Sequence, residues 1–298
     1  MKSMTSLVAP GIRIADRYTF GEKLGSGGQG EVWMAFDEQE LESVALKVLL
    51  RTFAPGMDPW EVLQREYEVG CDLDHPRILK TYPPLCAGDL AILPMELATG
   101  GDLRQLRGAP FLEIIPALID LAHALEHAHA HGVVHRDLKP ANVLFDASGR
   151  VQLADFGVAG RAQVGVQVDH PHSGWSPSSA SPQQLTGLPP TPADDLYGLG
   201  ALAFELLTGI PPYFPDFAVR RVLNDPVPAI EPVHVAPPRL LGLVRTLLAK
   251  NPRHRVQSMG AVITALSAAL DDPPTWEYSN LGASARELAV TPGVTPEC

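Results

Sequence analysis

Cysteine is scarce in this chain. Cys71, Cys86 and Cys298 are the only three in 298 residues, odd in number, widely spaced and never in a CxxC pair. This argues against a disulfide framework and for a reducing, cytoplasmic setting. Positive charge is also in short supply: 23 Lys and Arg stand against 34 Asp and Glu, a net charge of −11. Nucleic acid and anionic membrane surfaces are therefore poor candidates for the main partner. No apolar run reaches the roughly 18 residues that a membrane helix needs. Met1 to Pro10 lacks the apolar core of a secretory signal. No internal repeat is visible.

What is present is a large apolar complement, 45% of residues, enough for one globular domain or two lobes sharing a cleft. Residues 1–17 read as a loose leader. From Tyr18 to Leu50 the pattern is strand-like, interrupted by a glycine cluster, and within it Ala45 and Lys47 share one face of a strand. Asp58, Pro59 and Glu61 mark a helix start, and Trp60, Leu63 and Tyr67 recur at helical spacing, with Glu66 beside the apolar stripe. Strands continue to about Leu97. A long helix through Ile114, Leu118, Leu121 and Leu125 then closes at Gly132, another runs from Thr191-Pro192 to Gly209, and one or two more occupy residues 240–270. Strands first and helices later predict an α+β fold: a small β-rich lobe over 18–97 and a larger helical lobe over 98–270. The proline-bearing stretch 271–298 reads as a linker or tail.

Three short segments carry chemistry. Gly25-Ser26-Gly27-Gly28-Gln29-Gly30 lies between two strands, where a glycine hairpin lets backbone N–H groups approach phosphates; alone it is equally a tight turn. His135-Arg136-Asp137-Leu138-Lys139-Pro140-Ala141-Asn142 gathers a carboxylate, a cation and an amide between apolar flanks. Asp155-Phe156-Gly157 ends a strand-like run and adds an oxygen ligand of the kind Mg²⁺ accepts.

In this order the segments resemble the protein kinase family, closest in style to bacterial, eukaryotic-like serine/threonine kinases. The resemblance covers most of 18–270 and implies a two-lobed kinase fold, Mg-ATP (Mn²⁺ as a substitute) and protein substrates. It implies that Leu24, Gly25, Ser26, Gly27, Gly28 and Gly30 cover the ATP phosphates and that Lys47, in Val44-Ala45-Leu46-Lys47, holds two of them. Glu66, nine residues before His75-Pro76, would pair with Lys47. Asp137 would be the catalytic base and Lys139 would steady the phosphoryl group. Asn142 and Asp155 would bind metal. Met95, Glu96 and Ala98 would form the adenine hinge, Val32, Ala45 and Leu144 would sandwich the ring, and Asp102 would lie near the ribose. Asp195, Gly200 and Arg255 match further landmarks, and Lys139 marks a serine/threonine acceptor.

Departures from the family pattern are informative. Ser181-Pro182-Gln183 stands where the family has Ala-Pro-Glu, so Arg255 would face an amide. Gly70 and Thr81 replace large apolar residues behind Glu66, which predicts a small lobe that is mobile or awaits an activating partner or dimer. Arg136 before Asp137 suggests control by loop phosphorylation, with Ser173 as the regulatory candidate, Asp169 as a fixed-charge alternative and Ser176 as a structural hydroxyl touching the base and lysine. Two rival readings remain: a pseudokinase scaffold, and a zinc metallopeptidase built on His123-Ala124-Leu125-Glu126-His127.

Overall fold

The computed structural model describes residues 8–27, 30–50, 58–161 and 176–271. The first half is an antiparallel sheet: β1 (Arg13–Ile14), β2 (Tyr18–Gly27), β3 (Gly30–Asp37), β4 (Glu42–Leu50), β5 (Leu85–Ala87) and β6 (Leu90–Glu96), ordered β1-β2-β3-β4-β6-β5. β4 is central, so it is buried on both faces. Alternation sends Val44, Leu46 and Val48 to one apolar cluster with Phe20 and Trp33, and Ala45 and Leu49 to another with Leu63 and Met95. Lys47 falls on this second face, toward α1 (Pro59–Gly70). That helix begins as its sequence predicts: Asp58 accepts a hydrogen bond from the Trp60 N–H at 3.0 Å, and Pro59 occupies the first turn, where no N–H is needed.

The expected loose leader is tied down from Val8 onward. Val8 is buried with Phe20 and Trp33, Ile12 and Ile14 pack on the same cluster, and the Gly11 N–H donates to the Phe20 carbonyl at 2.7 Å. The spaced apolar residues Val8, Ile12 and Ile14 were the available signal.

After Glu96 helices dominate. A 3-10 turn (Leu103–Leu106) leads to α2 (Phe111–Ala130), and Gly132, at φ +73°, sits just beyond its end. Short strands β7 (Val133–Val134), β8 (Val143–Phe145), β9 (Val151–Leu153) and β10 (Gly160–Arg161) follow, with β8 paired to β9 and β7 to β10. The remaining helices are α3 (Pro182–Leu185), α4 (Pro192–Thr208), α5 (Val219–Asn224), α6 (Pro238–Leu247) and α7 (Met259–Leu270). α4 opens on a reciprocal capping box between Thr191 and Asp194. One continuous core of Leu118, Leu121, Leu125, Leu202, Leu206 and Leu247 joins α2, α4 and α6. Gly200 permits the closest approach, since a Cβ there would lie 2.7 Å from that of Leu247. No described helix is long and apolar enough to cross a membrane.

Candidate active site

The sheet and the helical lobe bring the polar residues of the three segments together. Pairing of β8 with β9 sets Val143 opposite Leu153, and the Ala154 N–H donates to the Asn142 carbonyl at 2.9 Å, so Asn142 and Asp155 lie at the same end of this ribbon. From the sheet above, Lys47 Nζ reaches Glu66 Oε2 at 2.7 Å and Oε1 at 3.0 Å, and Asp155 Oδ1 at 2.8 Å. One ammonium thus joins β4, α1 and the segment after β9. Burial alone would lower the Lys47 pKa, but the charges of Asp155 and Glu66 outweigh it and hold the lysine protonated. Burial also pushes Glu66 up, against the pull of Lys47. Asp155 stays below the usual carboxylate range, because Lys47 overcomes its desolvation. Gly157 leaves them room: a Cβ there would lie 3.1 Å from Glu66 Oε2 and 3.2 Å from Asp155 Oδ1, close enough to push on both carboxylates.

Asp137 is fully buried, and each of its oxygens is aimed. Oδ2 accepts from Lys139 Nζ at 2.6 Å and Asn142 Nδ2 at 3.0 Å, while Oδ1 accepts from the Ser176 N–H at 2.9 Å. Ser176 therefore meets Asp137 through its backbone N–H, where the sequence suggested its hydroxyl. Because Asn142 spends its amide N–H on Asp137, its side-chain oxygen is left for a cation. The loop is held from below by Asp195 at the start of α4, which accepts from the His135 and Arg136 N–H groups and from His129 Nε2, all at 2.8 Å. His135 donates through Nε2 to the Ala154 carbonyl at 3.1 Å and packs edge-on against Phe156, ring centres 4.9 Å apart. Arg136 and Asp155 are held at φ +68° and +66°, left-handed conformations that this network sustains.

The apolar candidates also converge. Ala45 and Met95 are buried in one cluster against which Val32, Ala98 and Leu144 pack. The Glu96 N–H is engaged by the Lys80 carbonyl at 2.9 Å, leaving the Glu96 carbonyl for a ligand. Asp102 bridges to Leu144 and accepts from the Arg104 side chain at 2.8 Å. Leu24 is exposed, and Gly25 pairs with Val32, Ser26 with Glu31 and Gly27 with Gly30 at the hairpin end. Gly28, Asp169, Ser173 and Cys298 lie outside the described residues.

Sequence reasoning assigned no role to His129. Its partner is 66 residues away and only the folded chain shows it. Gln183, in the position of the expected glutamate, accepts from Arg255 Nη2 at 2.6 Å. Arg255 also donates to the carbonyls of Ala249 and Ala193, yet burial without a full counter-charge lowers its pKa to about 10. Of the zinc pattern, His123 lies 4.0 Å from Glu126, whereas His127 stacks between His75 and His131. Among the described residues no three His, Cys, Asp or Glu side chains form a metal cluster.

A sheet-borne lysine clamped by a helix glutamate thus faces, across the cleft between two lobes, a loop whose aspartate is aimed by a lysine and an asparagine. Residues 18–265 match the family model described as protein kinase domain, and the chain belongs to that family. It is similar to the serine/threonine-protein kinase PknB of Mycolicibacterium smegmatis, 34% identical over 82% of this chain and 41% of that protein. It is also similar to the serine/threonine-protein kinase PkaA of Streptomyces coelicolor, 36% identical over 81% of this chain and 48% of the relative. The matches thus cover less than half the length of these relatives.

Proposed function

We propose that this chain is a serine/threonine protein kinase that transfers the γ-phosphoryl group of ATP to hydroxyls of proteins, itself included. The observation that carries the reading is the arrangement of Asp137: a buried carboxylate with Lys139 on one oxygen and a backbone N–H on the other, beside Asn142. A carboxylate so aimed can receive the proton of an incoming hydroxyl while Lys139 neutralises charge on the phosphoryl group in flight. Lys47 would hold the non-transferred phosphates, and Glu66 keeps it in place.

Asn142 and Asp155 fit a hard divalent cation. They offer an amide oxygen and a carboxylate, and Glu66 with Asp155 places two negative groups around a single ammonium. The small number of protein oxygens suits Mg²⁺, which leans on substrate phosphates, and Mn²⁺ accepts the same donor type. When bound, such a cation neutralises phosphate charge and fixes the reacting phosphoryl group. Val32, Ala45, Met95 and Leu144 would enclose the adenine. Arg136 Nε is buried with no partner among the described residues, a donor suited to a phosphate on the loop before Ser176.

Transfer of label from ATP to protein acceptors tests the reading. Asp137→Asn should lower the rate by about 10²–10⁴-fold while nucleotide binding persists. A wild-type chain that binds ATP yet transfers no better than Asp137→Asn is a scaffold, and the proposal falls.

A further inference from the structure

On the helical lobe, beginning at Lys139 and Ala141, lies a pocket of about 570 Å³, a size that can enclose more than one side chain. Part of its lining is apolar. Ile210, Pro211, Phe214 and Phe217 contribute, Ile210 and Phe214 are exposed, and the two phenylalanine rings meet edge to face with centres 6.2 Å apart. Such a surface is built to receive something.

The rest of the lining includes Glu205, Arg104 and Arg107. Glu205 could serve as a hook for a basic side chain, but it is already taken. Arg107 Nε donates to Glu205 Oε1 at 2.7 Å, and Arg107 Nη2 meets the same oxygen. The carboxylate is 6% exposed and its arginine 43%. The same asymmetry recurs between Asp102, 17% exposed, and Arg104, 59% exposed, again joined through Nε and Nη2. In both pairs the acid is sheltered and ion-paired, Asp102 through both oxygens and Glu205 through Oε1, and the arginine Nη1 makes no bond among the described residues. A peptide entering here meets two exposed arginines, 59% and 43% accessible, before it meets the carboxylates they cover. A basic side chain would have to displace Arg107 to reach Glu205, and would pay the cost of two cations in close proximity.

We propose that this pocket selects the acceptor protein. It seats a bulky apolar side chain against Phe214 and Phe217 and an acidic one on Arg104 and Arg107, in the same stretch of chain as the serine or threonine presented to Asp137. It turns away basic stretches. The inference rests on the kinase reading above and adds a substrate class to it.

The test uses Ser/Thr peptides that share one aromatic residue and differ only in carrying acidic, neutral or basic neighbours. The acidic peptide should show kcat/KM at least tenfold above the basic one, with the ratio shrinking as salt is raised. Exchanging the pair (Arg107→Glu with Glu205→Arg) retains an ion pair but turns its outer end acidic, and should lower the acidic-to-basic ratio at least tenfold. Phe217→Ala should raise KM for the aromatic peptide and leave that of an alanine-substituted peptide unchanged. Equal kcat/KM for the three peptides, or a ratio indifferent to the exchange, overturns the pocket's role. Phosphate release from ATP to water is followed alongside. Transfer without discrimination sinks only the pocket, whereas a chain that transfers to no protein, with or without hydrolysis, sinks the kinase reading and this inference with it.

Discussion

The two walls of the cleft are held in opposite ways. Below it, the loop carrying Asp137 is anchored by the buried Asp195, whose three hydrogen bonds come from His129, His135 and Arg136. Burial pushes this carboxyl up, but the bond and charge of His129, with His135 and the Arg136 N–H, hold it below the ordinary range. Above it, Glu66 is placed by a helix whose packing thins just behind it. Gly70 contributes no side chain there, and its neighbour Thr81 buries a hydroxyl oxygen that has no hydrogen-bond partner among the described residues. The lower wall is set by redundant polar bonds. The upper wall depends on the charge triad of Lys47, Glu66 and Asp155. Asp137 should therefore be in place without nucleotide, while the Lys47 arm responds to what binds between the lobes.

Removing the anchor gives the largest effect. Asp195→Ala strands His129 and two backbone N–H groups in a buried site, a loss of about 3–5 kcal/mol. Urea unfolding measures it, and transfer activity should fall with it as the loop loosens. A variant within about 1 kcal/mol of wild type would mean that the lower wall is not held through Asp195.

The upper wall is sharpened by Thr81→Val, which exchanges an unpartnered hydroxyl for a methyl of similar size. The expected gain is about 1 kcal/mol, with slower hydrogen exchange in α1. Unchanged exchange in α1 would show that the thin packing at Gly70 and Thr81 does not govern the helix, and the contrast between the walls would lose its basis.

How legible this contrast was in the sequence follows from the distances involved. Elements with local signals were readable: the Asp58-Pro59 start of α1, the Thr191-Pro192 start of α4, the glycine closures at Gly132 and Gly209, and the alternation in β4. Asp137, Lys139 and Asn142 lie within six residues, so their spacing alone placed them on one loop. Lys47 and Asp155 are 108 residues apart, and only family resemblance joined them in advance. Val8 carried only the faint signal of its spacing from Ile12 and Ile14, and neither periodicity nor resemblance suggested that His129 anchors Asp195 or that Arg107 pairs with Glu205. Each depends on how separate elements pack, which a linear pattern does not carry.

The seam between the walls offers the smallest effect. His75, in the segment that follows α1, stacks on His127 of α2 with ring centres 4.9 Å apart, and His127 lies 4.3 Å from His131. That segment is pinned to β9, the Leu79 N–H donating to the Leu153 carbonyl at 2.9 Å, so it couples α1 to the strand that leads to Asp155. Burial lowers the pKa of both His75 and His127. His127, Arg77 and His123 add to the lowering at His75, and His131 does so at His127, where Asp74 opposes it. Arg77 itself is paired with Asp120. With folded values below the ordinary imidazole value, the unfolded chain binds more protons as the solution acidifies. The contribution is fully present above about pH 6.5 and is lost as pH falls through the lowered values. His127→Phe keeps a stacking ring and removes one titrating group, so its stability should decline less between pH 7 and 5 than that of the wild type. Parallel stability curves for the two proteins across that interval would show that the imidazole column does not sense protons, and the seam would then be ordinary packing.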